Sequence, residues 1–390
     1  MSFYLQHGYG KGQKLQNLAR GGRLAGVILS AADEDAQTLE NTVHEARRFG
    51  IEVRIDPQTY VYSTAPRGLG RKHESHGVQF SDLHWSQDAK TVSKQVEAVG
   101  ELNRRLNPEG RWIAPSVVQS SFADVWTPLA VQLARTASEA WGPHKTIATL
   151  AIDDVALDTW RNVDEWLDVA TTLEVAGFYI LVGRSNTTYP PVAWSVDRLT
   201  NLLRLIYNLS ELNGYEVTWG YSDNEGLLGI AAGADHMASG WSYSLRQFNA
   251  SKWQPSDVKG GRAATPRLHL QKLWSPLRAV SEADEIYRSE IRDEIFTEEQ
   301  VAEFQTRGFD SISRLEAQES HLNLLANRSS TVSQLGGTSE RIDLVEKSLE
   351  GAIARFALIA DAGIPLETRY RPRVEALKSA LVKFRNSESL

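Results

Sequence analysis

One stretch of the chain, 215–248, constrains the fold more than any other. It reads as an apolar run, a polar loop, a short helix, a Gly-Ala-Asp turn, a second apolar run and another polar loop. The predicted helix, 225–233, is long enough only to cross between two parallel strands, so the stretch predicts a tight β-α-β unit. Both predicted strands end in loops rich in Ser, Asn, Asp, Gly and Trp. A parallel α/β sheet places its ligand site at that end.

The same alternation of short apolar strands and helices recurs along the first 280 residues. Predicted strands lie at 24–30, 51–55, 111–118, 146–152, 178–182, 215–220 and 236–240, with a weaker one at 267–270. Eight such units in this length are typical of a (β/α)8 barrel. We therefore predict an α/β fold of the TIM-barrel type over 1–280.

A doubly wound open sheet is the alternative fold. A dinucleotide-binding sheet carries Gly-x-Gly-x-x-Gly directly after its first strand. Here Gly8, Gly10 and Gly12 precede the first predicted strand, and no Gly-Lys-Ser or Gly-Lys-Thr follows them. This pattern argues against a dinucleotide fold and a Walker loop. The glycine-rich leader is expected to be flexible, or else to approach a ligand with its backbone.

Beyond residue 280 the strand pattern ends and charged, helix-periodic sequence begins. We predict a C-terminal α-helical extension over 281–390, with a flexible Ser/Thr/Gly linker near 329–339. The predicted helix 340–362 carries an apolar stripe that includes Ile342, Leu349 and Phe356. Such a stripe packs either on the barrel or on another chain, so a homo-oligomer or a protein partner contacting 281–390 is a second possibility.

Composition excludes several classes of protein. With 390 residues and 42% hydrophobic residues the chain can bury a large core, and it has no Cys for disulfides, thiol nucleophiles or Cys-bound metals. The net charge of −7 does not favour nucleic acid as a partner. No apolar run is long enough for a membrane span, and the N-terminus does not resemble a secretion signal, which predicts a cytoplasmic location. No cofactor and no metal site are predicted.

Three carboxylates at predicted strand ends are the catalytic candidates. Asp153 and Asp154 directly follow the apolar run 146–152, and Asp56 follows 51–55. Adjacent residues of a strand point to opposite faces, so at most one of Asp153 and Asp154 points into a barrel. A carboxylate there can act as a general base. The alternatives are a helix cap or a loop carboxylate for Asp153 and Asp154, and a turn former for Asp56 in Asp-Pro.

Other strand-end side chains are candidates for ligand binding. Arg184 follows an apolar run, and its planar guanidinium suits phosphate or carboxylate, although it can also pair with a neighbouring Asp. Polar or aromatic residues at the remaining strand ends complete the expected site: Ser185, Gln119, Tyr221, Asp223, Ser239 and Trp241.

The segment 224–235 resembles part of the tRNA-guanine transglycosylase family. Asn224-Glu-Gly-Leu-Leu-Gly-Ile-Ala-Ala-Gly-Ala-Asp235 is similar to that family's Asp-Leu-Leu-x-x-Ile-x-x-Gly-x-Asp, and the pair Asp153-Asp154 resembles its strand-end carboxylate. The resemblance implies a barrel fold and a nucleoside-like ligand. The chain departs from the family in having no Cys for a zinc site and Ala-Ser-Gly at 238–240, where the family has its nucleophile.

Two functions remain open from the sequence. The first is a barrel enzyme acting on a small polar ligand, phosphorylated or nucleoside-like, at the C-terminal mouth of the barrel. It requires Asp153, Asp154, Arg184 and Ser239 to line one open cavity. The second is a non-catalytic barrel that serves as a subunit or adaptor of a multi-protein complex and contacts its partners through 281–390. A nucleic-acid-processing complex is one such possibility.

Overall fold

The structure is a computed structural model that describes residues 2–10, 12–64, 70–78, 88–184, 188–253 and 265–390. In chain order the strands are β1 Phe3–Gln6, β2 Gly26–Ser30, β3 Glu52–Asp56, β4 Trp112–Ile113, β5 Val118–Gln119, β6 Thr146–Asp153, β7 Gly177–Gly183, β8 Glu216–Trp219, β9 His236–Ser239, β10 Arg267–Leu270 and β11 Ser275–Arg278. The α-helices are α1 Lys14–Arg20, α2 Ala36–Arg48, α3 Val61–Thr64, α4 Gly70–His76, α5 Ala89–Leu106, α6 Trp126–Trp141, α7 Trp160–Ala170, α8 Val196–Tyr207, α9 Gly226–Ala231, α10 Asp284–Tyr287, α11 Arg292–Ile295, α12 Glu298–Thr306, α13 Arg314–Ser333, α14 Thr338–Asp361 and α15 Tyr370–Glu388.

The first nine strands form one curled, parallel sheet with eight strand positions. Its order is β3-β2-β1-β9-β8-β7-β6-β4. Strands β4 and β5 share one position, because both pair with β6, β4 near its start and β5 near its end. Strands such as β6 and β7 are almost continuous apolar runs, as expected where helices cover the outer face and side chains fill the inner one. The sequence therefore predicted the α/β class and the parallel sheet correctly.

The two edge strands, β3 and β4, lie next to each other without a backbone ladder between their described residues. Side chains bridge the gap instead. Asn107 donates from Nδ2 to the Val53 carbonyl at 2.6 Å. Thr59 donates to the Ser116 carbonyl at 3.0 Å and accepts from the Ser116 amide at 2.9 Å. The sheet is thus curled towards a barrel but open at one seam.

One predicted strand lies outside the parallel sheet, and one strand of the parallel sheet was not predicted. The strand expected at 267–270 is β10, which pairs antiparallel with β11 and lies outside the parallel sheet. The eighth position belongs to β1, which pairs with β2 and β9 and directly precedes the glycine-rich leader. Only Phe3, Tyr4 and Leu5 give β1 an apolar character, and all three are fully buried. Three residues are too few for periodicity to separate a strand from a leader.

The C-terminal helices cover the outside of the sheet's own helices. Helix α15 packs on α8, and α14 packs on α9 and α15, while α13 lies against α9, β1 and β10. The apolar stripe predicted for 340–362 is buried there within the chain. The linker expected near 329–339 is short, because α13 continues to Ser333 and α14 begins at Thr338. A partner that contacts 281–390 remains a prediction.

Candidate functional site

An open cavity of about 580 Å³ lies at the C-terminal end of the sheet, beside β1, β2 and β9. Its walls come from the loops that follow these three strands, from the start of α1 and from the first turns of α13. The side chains that decide its chemistry are Tyr9, Lys14, Asp33, Trp241, Lys252 and Arg314. We call this the mouth cavity.

Three cations and one carboxylate line the mouth cavity. Lys252 Nζ lies 3.0 Å from Asp33 Oδ2, so that pair is neutral overall. Lys14 donates to the Gly10 carbonyl at 3.2 Å, and Arg314 is exposed at the start of α13. Burial is the main reason that the pKa of Lys14 is lowered; the negative charge of Glu319 raises this pKa, and the positive charge of Arg314 lowers it by a smaller amount. Two cations that repel each other across an open cavity favour an anion between them.

The first turn of α13 adds to the positive potential. This helix of 20 residues begins at Arg314, and Arg314, Leu315 and Gln318 line the mouth cavity. Ser313 and Glu316 form a capping box, in which each side chain accepts from the other residue's amide. The N-terminal end of a helix carries partial positive charge, which favours anions nearby.

The cavity has one buried and one exposed aromatic wall. Trp241 is only 3% exposed, lies under Lys14 at 5.4 Å and donates from Nε1 to the Tyr9 carbonyl. Tyr9 is 82% exposed, and Lys72 lies over its ring. The exposed flat surface for stacking is therefore Tyr9. The glycine-rich leader takes part through Gly10, whose φ of +78° suits glycine.

A smaller cavity of about 20 Å³ continues from the mouth cavity towards Arg246. The two share Ser242, Arg314 and Gln318. Arg246 belongs to a buried cluster in which it donates from Nη1 to the Tyr189 hydroxyl at 3.1 Å. The remaining members of this cluster are His269, whose Nε2 lies 2.8 Å from the Tyr189 hydroxyl, and His321, whose Nε2 lies 2.7 Å from Asp223 Oδ1.

The inside of the curled sheet is a packed polar network around Asp56. Tyr60 donates to Asp56 Oδ2 at 2.7 Å, and the Gln58 amide donates to Oδ1 at 2.9 Å. Tyr179 lies 3.4 Å from Oδ2, and the Gln58 side chain donates to Tyr221 at 3.2 Å. Burial raises the pKa of Asp56 to about 6. Because Asp56 and Tyr221 are almost fully buried and hydrogen-bonded, they hold the core together and do not face the mouth cavity.

The predicted carboxylate pair lies outside the mouth cavity. Asp154 starts a 3-10 helix and forms an ion pair with Arg198 at 3.2 Å, and Asp153 is half-buried beside it. Burial raises the pKa of Asp153, and the charges of Asp154 and Asp124 raise it further. Neither carboxylate lines the mouth cavity, so the expected convergence with Arg184 and Ser239 is not observed.

Most of the predicted ligand-binding residues are used inside the fold. Arg184 donates to the carbonyls of Val192 and Ala193 and lies over Trp194, so it fixes a loop rather than an anion. The others are buried: Gln119 accepts from Thr127, Asp223 pairs with His321, and the Ser239 hydroxyl has no hydrogen-bond partner among described residues. Ser185 lies outside the described residues. Trp241 alone of the predicted set lines the mouth cavity.

The residues that sequence reasoning missed come from segments without a motif. Lys14 follows the glycine-rich leader, Lys252 stands in a polar loop, and Arg314 lies in the extension treated as a separate part. Asp33 was recognisable, since it follows the strand at 24–30 within Ala-Ala-Asp. The glycines of the leader, Gly8, Gly10 and Gly12, were the sequence feature that indicated a ligand near this wall of the mouth cavity.

Comparison with known proteins gives no family. No family model matches the chain, and no curated protein matches it by sequence. Among solved structures, a probable tagatose 6-phosphate kinase from Sinorhizobium meliloti 1021 aligns at 11% identity and a TM-score of 0.37, covering 99% of each chain. The carboxyl transferase domain of Rhizobium etli pyruvate carboxylase aligns at 12% identity and a TM-score of 0.27, covering all of this chain and 54% of that one. Similarity this low assigns no function to the chain.

No helix among the residues that the structure describes is long and apolar enough to cross a bilayer.

Proposed function

We propose that the chain is a TIM-type barrel enzyme that binds a small phosphorylated ligand in the mouth cavity. The observation that carries the proposal is the convergence of Lys14, Lys252 and Arg314, from three separate segments, on one open cavity with a single carboxylate. The chain as a whole is acidic, with a net charge of −7, so this local excess of cations is distinctive. Arg and Lys bind phosphate through charge-assisted hydrogen bonds.

The position of the cavity supports the same proposal. In TIM barrels the ligand lies at the C-terminal face of the strands, where the loops after them meet. The mouth cavity lies at that face, and Arg246 extends its positive charge inwards. The open seam between β3 and β4 is compatible with a barrel, because side chains already join the two strands.

A nucleoside phosphate is the form of ligand that we favour within this class. The resemblance of 224–235 to the transglycosylase family suggests a nucleoside-like part. Tyr9 offers an exposed ring at the rim on which a base can stack. Adenosine monophosphate therefore serves as one probe and ribose 5-phosphate as another.

The catalytic part of the proposal rests on Lys14 and Asp33. Both line the cavity where an anion would bind, and burial already lowers the pKa of Lys14, which makes its ammonium a better proton donor. We propose these two groups for proton transfer in place of Asp153 and Asp154. An enzyme of this kind loses turnover in Asp33→Asn while it retains the ligand.

Binding of the phosphate group is the first prediction. Ribose 5-phosphate and adenosine monophosphate should bind at least about tenfold more tightly than ribose and adenosine. Added salt should weaken the binding of the two phosphorylated ligands. Lys14→Gln and Arg314→Gln should each raise the Kd at least about tenfold, since each removes a charge-assisted hydrogen bond worth roughly 1.5–3 kcal/mol. Isothermal titration calorimetry measures these constants.

Two matched variants complete the design. Asp33→Asn removes the carboxylate opposite the ligand and leaves Lys252 unpaired, so binding should be unchanged or tighter. Arg288→Gln removes an exposed Arg that does not line the cavity and should have no effect. Equal affinity for phosphorylated and unphosphorylated probes, or equal losses in Arg288→Gln and Arg314→Gln, would disprove the proposal.

A further inference from the structure

A second cavity lies along the C-terminal half of α13, between that helix, α9, α14 and the turn that joins β10 to β11. Its volume is about 110 Å³. Apolar side chains make most of its wall, and one cation reaches it. The residues that matter are Leu227, Trp274, Arg328, Thr331, Val332 and Val345. We call it the Arg328 cavity.

Arg328 is a buried cation without a counter-charge. It is only 9% exposed, and no hydrogen bond or ion pair joins its guanidinium to another residue within the described ranges. Its Nη1 atom is completely buried. Burial lowers the pKa of Arg328 to about 9, so the side chain still carries its charge at neutral pH. An uncompensated buried charge is costly, and proteins normally pair it.

Trp274 supplies the interaction that holds Arg328 in place. The guanidinium carbon lies 3.7 Å from the centre of the indole ring, which is a cation–π contact. The ring itself is fixed, because Trp274 donates from Nε1 to the Ser348 hydroxyl at 2.8 Å. Trp274 has a φ of +55°, a left-handed conformation that is unfavourable for a bulky side chain. Backbone strain of this kind is concentrated at binding and catalytic sites.

We propose that the Arg328 cavity binds a short aliphatic monocarboxylic acid. Trp274 covers the face of the guanidinium and Nη1 is buried, which leaves the edge formed by Nε and Nη2 for a planar carboxylate, the group that matches the Arg fork. Leu227, Val332 and Val345 provide an apolar wall for the alkyl part. The volume equals that of roughly four water molecules, which suits an acid of three or four carbons.

The same features make a phosphate unsuitable for this cavity. A phosphate ester carries up to two negative charges, whereas Arg328 is the one cationic side chain that lines the cavity among described residues. The apolar wall would also leave the other phosphate oxygens without donors. The Arg328 cavity therefore differs in chemistry from the mouth cavity, and it is independent of the function proposed above.

Butyrate is the probe that tests this site. Titration at constant ionic strength, followed by calorimetry and by ¹H–¹⁵N NMR of the Trp274 side chain, should give saturable binding of one butyrate. Arg328→Gln should raise the Kd at least about tenfold, because it removes the charged fork. Arg314→Gln, which alters the mouth cavity, should leave butyrate binding unchanged.

A second variant keeps the test valid if Arg328→Gln does not fold. Thr331 is exposed on α13 at the edge of the cavity, so Thr331→Trp can fill the space while Arg328 keeps its charge. This variant should also raise the Kd of butyrate at least about tenfold. Binding that does not saturate, or that persists in Thr331→Trp, would overturn the inference. So would equal binding of chloride and butyrate, which would reveal a general anion effect.

Discussion

Replacing Arg373 by Met should lower the free energy of unfolding by about 3–5 kcal/mol. Arg373 is 1% exposed on α15 and donates to Glu225 Oε1 from Nε at 3.1 Å and from Nη2 at 2.8 Å. It also lies 3.9 Å from Asp223. Met fills a similar space but leaves both carboxylates buried without this cation. Urea unfolding, followed by circular dichroism, measures the change.

The neighbouring Arg371 provides the control for this prediction. It stands two residues earlier on the same helix and pairs with Glu375 on the surface, where it is 49% exposed. Arg371→Met should therefore change stability by no more than about 0.5 kcal/mol. Adding Glu225→Gln to Arg373→Met should recover part of the loss. If Arg373→Met lowers the free energy of unfolding no more than Arg371→Met does, the ion pair of Arg373 with Glu225 does not anchor α15.

The contribution of Asp56 to stability should fall as the pH rises from about 4 to about 6. Burial raises the pKa of Asp56 to about 6 in the folded protein, from 3.8 for an unperturbed carboxyl. The folded state therefore binds this proton more tightly than the unfolded state does. The resulting stabilisation is complete below about pH 4 and is lost above about pH 6, with a total of about 3 kcal/mol.

The variant Asp56→Asn isolates this contribution from those of other groups. The difference in unfolding free energy between wild type and Asp56→Asn should change by about 3 kcal/mol between pH 4 and pH 7. Asp164→Asn, at an exposed position on α7, should show no such change. A difference that is constant with pH would mean that Asp56 titrates normally in the folded protein.

The parts of the fold that could be predicted are those with long, repeated patterns. Strands β6 and β7 are runs of seven or eight mostly apolar residues, and amphipathic helices such as α2 and α5 surround the shorter strands. Strand β1 has four residues and no such pattern, so its place at the centre of the sheet depends on contacts with β2 and β9 that are distant in sequence. The hairpin of β10 and β11 was not predicted, for the opposite reason. The residues of β10 alternate in polarity like those of a sheet strand, so the sequence assigned β10 to the parallel sheet.

The candidate site was harder to predict than the fold. The strand-end rule points to the same end of the sheet as the mouth cavity, and of the residues that it selected Trp241 lines that cavity. It could not tell a strand-end residue that lines the opening from one that packs beneath it, as Asp56 and Tyr221 do. A rule based on strand ends cannot select Arg314, because this residue begins α13 and reaches the mouth cavity only through tertiary packing.

The position of a bound phosphate in a crystal tests the central claim most directly. Crystals grown with ribose 5-phosphate, from solutions free of phosphate and sulfate, should show the phosphate group in the mouth cavity. Its oxygens should lie within hydrogen-bond distance of Lys14 Nζ and the Arg314 guanidinium. A phosphate bound elsewhere on the protein, with the mouth cavity unoccupied at saturating ligand, would contradict the proposed function.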